Sequence, residues 1–156
     1  MKLSGRHEQW IHAVLAAVYF TGVAWLVLRY GVRDDGLETV WSIARGWLMR
    51  AHGAAAMLTL VTLGTLLAIH VPSGWRMGTN LRSGVGMLAA MAVLALTGWL
   101  LYYASGETLR AWSSGVHIAI GAAAPIALVW HLAYRRRADG AKAAVPEKSI
   151  PGARQA

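Results

Sequence analysis

Six histidines are distributed along the 156-residue chain, and five of them lie within or at the edge of strongly apolar stretches. These five are His12, His52, His70, His117 and His131. An ionisable side chain within hydrocarbon is costly unless a partner completes its bonding. Neutral imidazole is also a ligand for iron, copper and zinc, so five such residues in one apolar chain indicate a metal-ligating role.

The spacing of the histidines arranges them at matching depths. His117 and His131 are fourteen residues apart, an offset of about 40° and a rise of about 21 Å on an ideal helix, so they share one face at two depths. His52 enters its apolar stretch about as deeply as His117 does, and His12 matches His131. The sequence therefore predicts two imidazole pairs, each able to hold the iron of a b-type haem. The pairs are His52 with His117, and His12 with His131.

His70 provides an alternative for the second pair. It follows His52 by eighteen residues, which returns it to the same face after a rise of about 27 Å, about 6 Å more than the spacing on the fourth stretch. If the second helix tilts, His70 replaces His12 opposite His131; otherwise it lies at the membrane interface, near a quinone or a haem propionate. Depth matching alone favours His12.

A haem site also needs partners for the propionates and room near the backbone. Three arginines near the ends of the apolar stretches are candidates for propionate contacts: Arg6, Arg50 and Arg110. Three glycines are placed where a macrocycle would approach a helix closely: Gly53, Gly98 and Gly121. The chain has no cysteine, which excludes iron–sulfur clusters and covalent attachment of a c-type haem.

Four apolar blocks supply the helices that would position these residues. The blocks cover residues 10–30, 47–70, 83–103 and 112–134, and about 20 apolar residues cross a bilayer core of about 30 Å. The whole chain is 56% hydrophobic and only 14% charged, too little charge for the surface of a soluble domain. Short linkers predict antiparallel neighbours. We therefore expect an all-α, integral membrane four-helix bundle in one domain (8–136), followed by a disordered tail (138–156).

The net charge of +8 is unevenly distributed and predicts the topology. The segments that share one side of the membrane carry most of the uncompensated positive charge: Lys2, Arg6, Arg76, Arg82 and Arg135 to Arg137. The positive-inside rule then predicts that the N- and C-termini are both cytoplasmic, in a multi-pass protein of the bacterial inner membrane. Contact with anionic lipid explains this charge better than binding to nucleic acid.

The arrangement resembles the prokaryotic cytochrome b561 superfamily, which includes the cytochrome b subunits of membrane-bound hydrogenases and formate dehydrogenases. In that superfamily, two haems take ligands from helices one, two and four, with two histidines fourteen apart on helix four. The matching positions here are His12, His52 and the pair in VHIAIGAAAPIALVWH, His117 and His131. The resemblance implies a bundle that binds two b haems per chain. The chain departs from the pattern in carrying His70 and in its short loops.

The expected function is transmembrane electron transfer between the quinone pool and a partner redox protein or larger membrane complex. This describes an electron-transfer subunit better than a stand-alone enzyme, although quinone oxidoreductase activity is compatible with it. Two alternatives are a monohaem cytochrome b and a haem-free membrane anchor or assembly subunit whose histidines only form hydrogen bonds. A transporter is disfavoured because the apolar blocks contain no acidic residue that could couple ions.

Overall fold

The computed structural model describes residues 5–32, 38–77 and 81–143, and it is built from four helices. In chain order these are α1 (Gly5–Tyr30), α2 (Glu38–Met77), α3 (Leu81–Tyr103) and α4 (Glu107–Ala143). The predicted all-α architecture with four helices is confirmed.

All four helices are long and apolar enough to cross a membrane. The qualifying segments are Gly5–Tyr30, Val40–Ala68, Leu81–Tyr103 and Glu107–Ala133. Among the described residues only two hydrophobic side chains are buried, Val14 and Ala55, at 5% and 7% exposure. Large aromatic side chains such as Trp112, at 72% exposure, lie on the outside. An apolar exterior of this extent is compatible with a lipid bilayer.

Three helix ends lie seven or more residues from the predicted ones. α2 begins at Glu38, well before residue 47, and continues through Pro72 to Met77. A proline removes one backbone hydrogen bond, and a membrane helix can accommodate that loss without ending. α4 extends to Ala143, so residues 138–143 of the predicted tail are helical. The alanine and lysine residues of this segment are strong helix formers, and residues 144–156 lie outside the described part of the chain.

The helices pack as two hairpins. α1 packs closely on α2, α3 packs closely on α4, and the contact between the hairpins along α2 and α3 is lighter. The connection between α3 and α4 is only three residues, 104–106, so the two helices are antiparallel neighbours. Small and β-branched side chains at the buried positions allow this close approach within each hairpin: Val14, Ala55, Thr62, Thr97 and Ser113.

Candidate functional site

The two hairpins meet at a pair of histidines. His52 on α2 and His117 on α4 have ring centroids 6.2 Å apart, and their ring planes are 81° from each other. Both side chains are partly buried. The structure therefore brings together the first of the two histidine pairs, with one imidazole from each hairpin. We call this depth of the bundle the His52 level.

The His52 ring is held by α1 through its Nδ1 atom. Nδ1 lies 2.9 Å from the backbone carbonyl oxygen of Val18 and 3.2 Å from the hydroxyl oxygen of Thr21. The Thr21 hydroxyl donates its own hydrogen to the carbonyl of Ala17, at 2.7 Å. A carbonyl only accepts, so His52 must carry its hydrogen on Nδ1. Nε2 of the neutral ring then has a free lone pair.

His117 is held by α3 in the same way. Its Nδ1 lies 2.9 Å from the hydroxyl oxygen of Thr97, and the Leu94 carbonyl assists as a backbone acceptor. Thr97 donates its hydroxyl hydrogen to the carbonyl of Val93, at 2.7 Å, so its oxygen accepts from the ring. His117 therefore also carries its hydrogen on Nδ1 and has a lone pair on Nε2.

A glycine next to each threonine gives the imidazole room against the helix. A Cβ atom on Gly22 would lie 3.0 Å from Cε1 of His52, and one on Gly98 would lie 3.5 Å from Cε1 of His117. α1 and α3 thus carry the same element, a Thr-Gly dipeptide three residues after a supporting carbonyl. This repeat was not predicted, although the sequence carries a signal for it, a Thr-Gly dipeptide in two of the four apolar blocks.

A third histidine is held by the same pair of helices that holds His117. Nδ1 of His131 lies 3.0 Å from the hydroxyl oxygen of Ser83 on α3. Ser83 and Thr97 are fourteen residues apart, as are His131 and His117. Because α3 and α4 are antiparallel, equal spacings keep both hydroxyl–imidazole contacts in register about 21 Å apart. We call the depth of Ser83 and His131 the His131 level.

Of the other two predicted ligands, the structure describes the side chain of His12 only. His12 lies exposed on α1 and, within the described ranges, makes no hydrogen bond or ring contact. His70 belongs to α2, but its side chain lies outside what the structure describes. The remaining histidine, His7, lies within α1 and is partly buried, although its charged neighbours placed it outside the first apolar block.

The predicted propionate partners lie at the surface. Arg6 and Arg110 are exposed, and the Arg50 guanidinium lies 5.0 Å from the centroid of the Trp47 ring. Gly53 has a different neighbour from the one expected. A Cβ there would lie 3.1 Å from the Tyr102 hydroxyl, so this glycine admits a side chain of α3 beside His52.

The separation of the two rings at the His52 level is compatible with two imidazoles that share one metal ion. An imidazole nitrogen lies about 1.2 Å from its ring centroid and binds a first-row metal at about 2.0 Å, so two imidazoles on opposite sides of one ion have centroids roughly 6.4 Å apart. The observed separation is 6.2 Å. In the described part of the chain neither Nε2 has a hydrogen-bond partner. A lone pair cannot bond to another lone pair, so an electron acceptor such as a metal ion would be a partner for each of these nitrogens.

Across the described ranges no three His, Asp or Glu side chains come together in a group that could hold a metal ion. A metal ion held by His52 and His117 alone would need its remaining ligands from another source, and four of the ligands of a six-coordinate iron are what a porphyrin provides.

The comparisons with known proteins give no relative. No protein-family model matches the chain, and no curated protein or solved structure shows significant similarity to it.

Proposed function

We propose that the protein is a b-type membrane cytochrome that transfers electrons across the bilayer, with His52 and His117 as the axial ligands of one haem. The observation that carries this proposal is the pair of half-buried imidazoles whose centroids lie 6.2 Å apart, with both Nδ1 atoms engaged by the neighbouring helix. The resemblance to the cytochrome b561 superfamily supports the same conclusion.

A second haem is part of the proposal. His131, held by Ser83 at its Nδ1 atom, provides one ligand at the His131 level. The other is an imidazole of the first hairpin, for which the sequence offered His12 or His70. Two haems about 21 Å apart along α4 would divide the crossing of the bilayer into shorter steps.

The chain itself would bind, orient and shield the cofactor. Bound haem supplies a one-electron couple. The Val18 carbonyl, assisted by Thr21, fixes the tautomer of His52, and the Thr97 hydroxyl fixes that of His117. Each support would make the Nε2 atom of its ring a stronger donor to iron. If His52 and His117 both hold the iron, neither side of the haem would be open to oxygen or a substrate, and the residues would suit electron conduction.

The remaining parts of the proposal concern cellular context. The uncompensated positive charge at the N-terminal end of the bundle supports a bacterial inner-membrane location with both termini in the cytoplasm. The electron donor and acceptor would be a quinone and a partner redox protein or complex.

Haem counting on the purified protein tests the proposal directly. The protein, expressed with added haem precursor and purified in detergent, should contain b haem by the pyridine haemochrome assay and show low-spin spectra. His117→Gly should lose the haem at the His52 level, because one axial ligand is missing. Free imidazole should restore it by occupying the space that the side chain left.

The control for this experiment is Thr62→Val. Thr62 is a buried residue of α2 whose hydroxyl donates to the Leu58 carbonyl of its own helix, and the substitution should leave the haem content unchanged. A folded wild-type protein that takes up no haem, even on reconstitution, would instead favour the membrane anchor. One haem per chain would favour the monohaem cytochrome.

A further inference from the structure

His7 lies on the stripe of α1 that faces the interior of the bundle. His7, Val14 and Thr21 follow one another at intervals of seven residues, which on an ideal helix drift by only about 20° each. Val14 is 5% exposed, and Thr21 contacts the His52 ring, so this stripe is the inward one. His7 is partly buried and its Nε2 atom is fully buried.

The depth of His7 equals that of Ser83. Each residue precedes its own helix's threonine by fourteen positions, His7 before Thr21 on α1 and Ser83 before Thr97 on α3. Both threonines hold imidazoles at the His52 level. α1 and α3 contain no proline, so both residues lie about 21 Å from that level. Ser83 contacts His131, which places His7 at the His131 level.

The two histidines predicted for this place fit less well. His12 precedes Thr21 by nine residues, an offset of about 180°, so it occupies the opposite face of α1. Its exposure agrees with that outward position. It also lies about 7.5 Å nearer the His52 level than His7 does. The position of His70, eighteen residues after His52, is about 6 Å beyond the required depth.

α2 has an aliphatic residue at the corresponding depth. The position fourteen residues after His52, which matches His131 on α4, is Leu66. The two hairpins therefore differ at the His131 level. The second hairpin places its imidazole on α4 and a hydroxyl on α3, whereas the first places an imidazole on α1 and leucine on α2.

We propose that His7 is the axial partner of His131 in the second haem site, in place of His12 or His70. The observation that carries this proposal is that the inward stripe of α1 contains both Thr21, which contacts the His52 ring, and, fourteen residues earlier, the partly buried imidazole of His7. This inference rests on the proposed function, because it assigns a ligand to the second haem.

Haem stoichiometry in a matched pair of variants tests the assignment. Wild-type protein should contain two haems per chain, His7→Ala one, and His12→Ala two. The two substitutions remove the same side chain from the same helix, five residues apart, so they differ mainly in the face they alter. His7→Met should keep two haems and raise the midpoint potential of one of them, because a thioether ligand favours ferrous iron.

The outcomes separate this inference from the proposed function. Two haems in His7→Ala, or a haem lost from His12→Ala instead, would overturn the assignment and leave the cytochrome intact. One haem in the wild-type protein would overturn the second site alone, and a wild-type protein without haem would overturn both. If His7→Ala does not fold, unchanged potentials in His7→Met would still refute the assignment.

Discussion

At the scale of single residues, the most informative feature is the direction of two hydroxyl hydrogens. Thr21 and Thr97 each donate to a carbonyl one turn earlier in their own helix, at 2.7 Å, and therefore present an oxygen lone pair to an imidazole on the next helix. In an apolar helix, a hydrogen bond from threonine to its own backbone would be enough to satisfy the hydroxyl. Here each threonine hydroxyl also accepts a hydrogen bond from Nδ1 of a histidine, so it helps to determine which ring nitrogen carries the proton.

Thr97→Val should weaken the haem site at His117. Valine keeps the shape of threonine but removes the oxygen that accepts from Nδ1 at 2.9 Å. Loss of such a support typically costs about 10–100-fold in metal affinity. We expect haem affinity to fall within that range and the midpoint potential to rise, because a less basic imidazole stabilises ferric iron less.

Thr21→Val provides the internal comparison for that prediction. His52 keeps the Val18 carbonyl at 2.9 Å when the 3.2 Å contact to Thr21 is lost, so the effect should be smaller. Haem titration and a redox titration of both variants give the measurement. Equal potentials in Thr97→Val and wild type would show that the hydroxyl does not tune the ligand.

At the scale of elements, the structure shows two helix–helix contacts built to one pattern. On α1 and on α3, a backbone carbonyl is followed three residues later by a threonine and then directly by a glycine. The imidazole of the next helix packs against these residues. On α1 a side chain larger than glycine would crowd the ring, because a Cβ at Gly22 would lie 3.0 Å from it, whereas the 3.5 Å at Gly98 is ordinary van der Waals contact. The approach is closer at Gly22 than at Gly98, so the two contacts should respond differently to an added methyl group.

Gly22→Ala should displace His52. The new Cβ would be 3.0 Å from a rigid ring atom, which forces the helices or the ring to shift. Overpacking of this kind costs about 1–3 kcal/mol. We expect lower haem occupancy and a lower thermal midpoint. Gly98→Ala, with its nearest ring atom at 3.5 Å, should have a milder effect.

The control for this series is Gly64→Ala on α2, where nothing lies within 4 Å of the added atom. Alanine is favoured over glycine in a helix by about 1 kcal/mol, so this variant should be neutral or slightly stabilised. The order of haem retention should be Gly64→Ala, Gly98→Ala, then Gly22→Ala. Full haem retention in Gly22→Ala would contradict the close approach at His52.

Much of this arrangement could be predicted from the sequence, for a physical reason. Apolar blocks of membrane length define helices without reference to their partners, and a fourteen-residue spacing places two histidines on one face of any helix. Such arguments reached the four helices and the pairing of His52 with His117. They did not reach the helix ends, because neither Pro72 nor the charge after His131 ends a helix there.

The supporting residues were harder to predict. Thr97 and Ser83 are chemically ordinary in a membrane helix, and their role depends on which helix lies opposite and in what register. His7 was missed because Arg6 and Glu8 on either side marked its surroundings as outside the membrane. A hydropathy value is averaged over neighbouring residues in the sequence, whereas the helix face on which a residue lies depends on its own position only.

At the scale of the whole molecule, an apolar exterior encloses a polar stripe of hydroxyl and imidazole groups. The buried polar side chains among the described residues are Thr62, Thr97 and Ser113, all small. Most large apolar side chains point outward, the reverse of a soluble bundle. This distribution suits a protein whose surrounding solvent is lipid.

Reporter fusions should define the orientation of the bundle. With both termini cytoplasmic, a fluorescent protein joined after Ala156 should be bright, and alkaline phosphatase inserted at Ser105 should be active. The reason is the excess of arginine and lysine at the N-terminal end of the bundle. The opposite pattern would invert the topology and place the His52 level near the cytoplasm.

The light contact between the hairpins has a consequence for biogenesis. Each hairpin is closely packed within itself, so each can enter the membrane and fold as a separate unit. His52 belongs to one unit and His117 to the other, and an iron coordinated by both would fasten them together. Assembly of the complete bundle would then depend on haem supply, because the bound haem would link the two hairpins.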